Sequence, residues 1–160
     1  MMGRILCRFR RSANDLATSQ LYNEQTFYRA FERDLACCRS EAIIESPYIT
    51  TRRVRLLVPA LQRMVDRGVK ITVNTRDPEE HDDYLYFEAG EGIAFLQDVG
   101  VNVLFTGGHH RKLAIFDGSV LWEGSLNILS QNDSCEIMRR TESEELARQL
   151  VAFLGLQRFL

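Results

Sequence analysis

Lysine and histidine are the scarce polar residues of this 160-residue chain. Of its 20 basic residues only Lys70 and Lys112 are lysines; all the others are arginines. There are three histidines, His81, His109 and His110, so two members of these scarce types, His110 and Lys112, stand one residue apart. An imidazole near neutrality serves as a nucleophile or a proton carrier, and an ammonium is a compact donor to phosphoryl oxygens. Further along, Ser125 and Asn127 add a hydroxyl and a carboxamide. The set suits phosphoryl transfer, in which side-chain donors meet the charge that develops on non-bridging oxygens. No carboxylate cluster and no Cys/His ligand set accompanies these residues, so the chemistry is expected to need no metal and no other cofactor.

A hairpin is the expected device for bringing the four groups together. Asp117-Gly118 separates two apolar runs, Lys112 to Phe116 and Ser119 to Glu123, and Asp-Gly is a strong two-residue turn signal. A two-residue turn places Phe116 opposite Ser119, Lys112 opposite Glu123 and His110 opposite Ser125. His110, Lys112, Ser125 and Asn127 then emerge on one side, with Leu113, Ile115, Val120 and Trp122 packed on the other. Gly107-Gly108 before the first strand and Gly124 in the second keep the backbone slim beside a ligand.

The rest of the chain supplies the frame. Phe27, Ala30, Phe31, Leu35 and Cys38 recur at helical spacing within 22–39, with Asn23 as a candidate cap. Ala42-Ile43-Ile44 reads as a strand closed by Ser46-Pro47. Val54, Leu57, Val58, Leu61, Met64 and Val65 form the stripe of a second helix that starts at Thr51 and ends at Gly68. Val69 to Asn74 is a strand, Asp77 to Asp83 an irregular acidic segment, Ile93 to Val99 a short helix and Val101 to Phe105 a strand. Beyond the hairpin, Cys135 to Arg140 reads as a strand and Ser143 to Leu156 as a closing helix with Leu146, Leu150, Phe153 and Leu154 inward. This order predicts one α/β domain over residues 1–160, its core at about 20–157, built on a mixed sheet with helices on both faces.

Composition narrows the function classes. At 45% hydrophobic and 26% charged the chain is ordinary for a globular protein, which excludes disordered and low-complexity types. A net charge of −2 excludes coating of nucleic acid by bulk electrostatics, so a polyanion must be held by a local patch. Met1 to Arg11 lacks a signal-type apolar run, and no segment has the length of a membrane span. Adjacent Cys37 and Cys38 make a poor disulfide or zinc framework, and reduced thiols in a cytoplasmic protein are expected.

The pattern His110-Arg111-Lys112, four residues, Asp117, six residues, Gly124-Ser125, one residue, Asn127 resembles the signature of the phospholipase D superfamily. By average composition, six such identities at fixed spacing arise in roughly one chain of this length in a million. Ile43-Ile44-Glu45-Ser46-Pro47-Tyr48 looks like the first core strand and turn of that family. The resemblance implies a metal-independent phosphodiesterase in which His110 attacks phosphorus and forms a phosphohistidine. A second copy of the motif then protonates the leaving group and activates water. A chain with one motif is similar to the small bacterial nucleases of the superfamily, which build one active site across a homodimer twofold. By the same resemblance Lys112, Ser125 and Asn127 are catalytic, and Glu136 is the carboxylate orienting His110. Asp117 belongs to the motif, with a structural part at the turn as the alternative.

Candidate substrate contacts are Ser46 and Tyr48 of the turn, Arg52 and Arg55 on the second helix, Arg111 and Gly124. The arginine face is either a solvated charged surface or a phosphate-contacting wall, which Arg139 and Arg140 could extend. His109 points away from His110 and reads as a bystander, and His81 as a solvated loop residue. The expected substrate is DNA, bound by its backbone with little sequence readout. The alternatives are a lipid phosphodiesterase or phosphatidyl transferase, and a non-catalytic nucleic-acid-binding module of the same fold.

Overall fold

The stretches of β-branched and aromatic residues in the chain form a single seven-stranded sheet in the computed structural model, which describes residues 18–130 and 133–159. The basic amino terminus and Cys7 lie outside the described residues. In chain order the elements are β1 (Gln20–Asn23), α1 (Phe27–Cys37), β2 (Glu41–Glu45), α2 (Thr51–Asp66), β3 (Lys70–Thr75), α3 (Asp83–Asp98), β4 (Asn102–Phe105), β5 (Leu113–Phe116), β6 (Val120–Gly124), β7 (Ile137–Glu142) and α4 (Glu144–Leu154). The strands lie in the order β1-β7-β6-β5-β2-β3-β4. The β2-β3-β4 half is parallel and joined through helices, and the remainder is antiparallel. A mixed sheet with helices on both faces is what the element order predicts.

Two apolar clusters cover the two faces. The larger joins Phe27, Phe31, Leu35, Val54, Leu57, Leu61, Ile93 and Leu96 of α1–α3 to Ala114, Phe116, Val120 and Trp122. The smaller packs α4 through Ala147, Leu150, Val151 and Leu154 onto Ile43, Leu113, Ile115 and Leu121. The closing helix therefore turns a different stripe inward from the one expected, and Phe153 is 86% exposed. Ala147, Leu150, Val151 and Leu154 keep i, i+3, i+4, i+7 spacing, and a small alanine lets the helix sit close to the sheet.

Several local readings are corrected by long-range partners. Residues 20–23 form an edge strand held by β7, not the start of a helix. Asn23 instead closes a turn, accepting from the amides of Gln25 and Thr26 at 3.2 and 3.0 Å. The helix over Ile93 to Val99 begins ten residues earlier, where Asp82 caps it through Leu85 N at 2.9 Å. Cys38 and Cys135 are free thiols, but Cys37 is disulfide-bonded, against the expectation of reduced thiols.

The β5-β6 register also differs, by one residue. Leu113 pairs with Glu123 and Phe116 with Val120, so the loop holds three residues, Asp117 to Ser119. Asp117 and Gly118 do form a turn with positive φ of 50° and 58°, closed by Ser119 N donating to Phe116 O at 3.0 Å. The Ser119 carbonyl, however, accepts from Ser143 N at 2.8 Å, at the start of α4, and the Asp117 amide donates to Glu41 O at 2.9 Å. Ser143 thereby takes the Ser119 carbonyl, which a two-residue hairpin would use for its own ladder. Lys112 therefore lies beside Gly124, and Leu113 and Ile115 face Leu121, while Trp122 and Val120 lie in the other cluster.

Candidate active site

Two anchors define the strand entry that carries the histidine pair. Thr106 N donates to Thr75 O at 2.9 Å, and Thr106 Oγ1 donates to Asn74 Oδ1 at 2.9 Å, fixing the loop to β3. Five residues later Arg111 forms a two-pronged pair with Glu45, whose carboxylate is fully buried and also accepts from Asn74 Nδ2 at 2.9 Å. A buried carboxylate needs such partners to stay charged. Along this extended stretch His109 and Arg111 turn inward, leaving His110 exposed and Lys112 half-buried on the other side. His109 is buried. Burial pushes its imidazole pKa down, and its Nε2 has no hydrogen-bond partner among the described residues.

Lys112 Nζ lies 2.9 Å from His110 Nδ1 and donates to the His110 carbonyl at 2.8 Å. An ammonium has only donors, so it meets the ring at a lone pair. Partial burial lowers the Lys112 pKa, and the nearby Glu136 carboxylate counters that in part. The pair stands at the edge of a pocket of about 490 Å3 lined by Leu21, Arg111, Glu123 and Arg139 among others.

The opposite wall comes from the exit of β6. Ser125 N donates to Ile137 O at 3.0 Å and Ile137 N to Ser125 Oγ at 3.1 Å, while the Ser125 hydroxyl donates to Glu136. Glu136 also accepts from Ser134 Oγ at 2.8 Å, and its own amide donates to Glu24 at 2.9 Å. Its carboxylate is thus held by two serines, not seated on His110 as the resemblance implies, and its charge lies near Lys112. Asn127 follows on a turn pinned by fully buried Leu126, Ile128 and Leu129. Its Oδ1 is buried without a partner among the described residues.

Other candidates sit elsewhere or are occupied. Ser46 is fully buried: it donates to Tyr48 O at 3.0 Å and accepts from Leu129 N at 3.1 Å, so it joins two loops and presents nothing to a substrate. Ser46→Ala should lower stability by about 1–2 kcal/mol through the orphaned Leu129 amide, measured by denaturant unfolding. Gly124 answers to packing, since a Cβ there would lie 2.1 Å from Ile137 O. Arg111 is committed to Glu45, and Arg140 to Asp34 and Glu142. Arg52 and Arg55 line a separate cleft of about 740 Å3 with Tyr84 and Leu56. Asp117 lies beyond β5, roughly 16 Å of extended chain from Lys112, and its carboxylate is fully engaged with the α1–β2 connection. Tyr48 does approach, its ring 6.2 Å from that of His110.

Sequence reasoning missed the rim. The acidic segment is a tight helical turn over Pro78–Glu80. His81 lies 5.3 Å from the Tyr48 ring at 31°, and Glu80 reaches the loop before His110. Neither pairing has a sequence signal, because both are contacts between separate loops. Among the described residues no group of three or more His, Cys, Asp or Glu side chains is placed to hold a metal ion, and no helix is long and apolar enough to cross a membrane.

A mixed sheet with a His-x-Lys pair at the mouth of its central hairpin defines a phospholipase D-like domain. Residues 31–155 match the family described as cardiolipin synthase, PLD-like domain, and the chain belongs to that family. The fold is similar to Nuc of Salmonella typhimurium, a phospholipase D family member (TM-score 0.68, 12% identity, 84% of this chain and 90% of that one). It is similar also to NucT of Helicobacter pylori (TM-score 0.66, 17% identity, 84% and 91%). The archaeal chromatin protein TrmBL2, described with a novel mode of DNA binding, shares it too (TM-score 0.59, 12% identity, 86% and 51%). The comparison with curated protein sequences gave no match.

Proposed function

We propose that this protein is a metal-independent phosphodiesterase that cleaves DNA, with one active site shared by two copies of the chain. The observation that carries the reading is the Lys112 ammonium held 2.9 Å from His110 at an open pocket of the family fold. The His110 imidazole attacks phosphorus, forming the N–P bond as the P–O bond to the leaving nucleotide breaks. Lys112 and Asn127 donate to the non-bridging oxygens as charge grows there. The imidazole of a second copy gives its proton to the leaving oxygen, then takes one from the water that hydrolyses the phosphohistidine. An isologous interface supplies that second imidazole at no cost in sequence. DNA as substrate is supported by the DNA binding of a chain with this fold and by the exposed Arg139 beside the pocket.

Purified protein incubated with plasmid and with single-stranded DNA in excess EDTA should nick or degrade them, while phosphatidylcholine vesicles run in parallel stay intact. Complete loss of cleavage in EDTA would overturn the metal-free mechanism, and lipid turnover without DNA turnover would reassign the substrate. Sedimentation should give about twice the 18.5 kDa of one chain. A monomer that still cleaves would contradict the shared site.

A further inference from the structure

The Pro78–Glu80 turn looks misplaced beside a phosphodiester site, because its carboxylates repel the substrate. Its geometry gives it another task. Both Glu80 carboxylate oxygens accept from the Gly108 amide, at 3.0 and 3.1 Å. Arg76 Nε donates to the same group at 2.7 Å from the end of β3, fixing the carboxylate from behind. The turn is itself braced: Asp77 accepts from Glu79 N at 3.0 Å, and its carbonyl accepts from Glu80 N at 3.0 Å. The backbone lies so close that a Cβ at Gly107 would stand 3.2 Å from Glu80 Oε1, and Gly108 takes a φ of +64°. Gly108 is two residues before His110, between the Thr106 anchor on β3 and the Arg111 anchor on Glu45.

From this we propose that Glu80 is a positioning residue for the reaction: it clamps the Gly107-Gly108 backbone and so sets where His110 meets phosphorus. The inference rests on the phosphodiesterase reading and adds a residue to it that touches neither substrate nor His110. The Gly108 amide bond, followed by Arg76, holds the Glu80 carboxyl below its ordinary pKa, so the clamp stays charged across the neutral range. Next to it, the ring of His81 packs on Tyr48, which flanks His110, so the turn braces two sides of the same corner. An ångström of drift in a reacting group costs up to about a hundredfold in rate.

The test compares wild type with Glu80→Ala and Glu80→Gln on a DNA oligonucleotide in EDTA. Glu80→Ala should lose about 10- to 100-fold in kcat with KM within about twofold. Glu80→Gln keeps an acceptor for Gly108 and should stay within about fivefold of wild type. If the carboxylate acts only as a negative charge, both variants lower KM equally and leave kcat alone, and the proposal is overturned. Equal kcat in wild type and Glu80→Ala overturns it as well. Amide exchange at Gly108 gives a reading independent of turnover. Exchange should quicken at least tenfold in Glu80→Ala with the global unfolding midpoint unchanged, and unchanged protection refutes the clamp. Wild type that cleaves no phosphodiester while Gly108 exchange behaves as expected removes the function and the catalytic role together, leaving a structural clamp.

Discussion

His110→Ala is expected to abolish DNA cleavage, lowering kcat by about 10⁴-fold or more, because in the proposed mechanism it removes the atom that bonds to phosphorus. The side chain is exposed and its partner Lys112 keeps its bond to the backbone carbonyl. Folding should therefore be spared, with a shift in Tm of no more than about 2 °C. Lys112→Ala keeps the nucleophile and loses one donor to the phosphoryl oxygens, so a smaller loss of about 10²- to 10³-fold is expected. A shared site makes a further demand: excess His110→Ala chain, allowed to exchange with wild type, should suppress activity beyond simple dilution. Steady-state cleavage in EDTA measures all three. Full activity in His110→Ala would show that another residue attacks phosphorus.

Asp117→Ala should do the reverse, costing about 3 kcal/mol of stability and about 6–12 °C in Tm while leaving kcat per folded molecule near wild type. The carboxylate accepts from Ser40 Oγ at 2.7 Å and from the amides of Arg39, Ser40 and Glu41 at 2.9, 2.8 and 3.2 Å. It thereby ties the α1–β2 connection to the hairpin turn. Alanine also adopts the positive φ of 50° at this position less readily than aspartate. Partial burial pushes the Asp117 carboxyl up, but the donors of Ser40, Arg39 and Glu41 together outweigh it and hold the pKa below 3.8. A depressed carboxyl stabilises the fold above its unfolded value near 3.9 and stops doing so as the pH falls through the folded value. The stability gap between wild type and Asp117→Ala should thus be full at neutral pH and narrow in acid below about pH 4. A large fall in kcat with unchanged unfolding would return Asp117 to the catalytic set.

The candidate site residues are legible because spacing alone marks them. His110, Lys112, Ser125 and Asn127 stand at motif intervals, and the apolar stripes of α1 and α2 and the runs of β2 and β3 are local patterns that the fold preserves. What failed was whatever depends on a distant partner. The hairpin register moved one residue because Ser143 claims the Ser119 carbonyl. The acidic turn became a brace because Gly108 happens to lie within reach of Glu80. Arg111 gained an ion-pair partner that local sequence does not show, because Glu45 lies 66 residues away.

Sequence by itself therefore determined the chemical vocabulary of this protein and most of the elements that carry it, since nucleophile, donor and amphipathic period are properties of neighbouring residues. Only the tertiary structure decided which polar groups are spent inside the fold and which face the substrate. A charged or hydroxyl side chain satisfies its hydrogen bonds with whichever partner the packed chain brings near. Ser46 and Asp117 are consumed in that way, and His110 and Lys112 are left open.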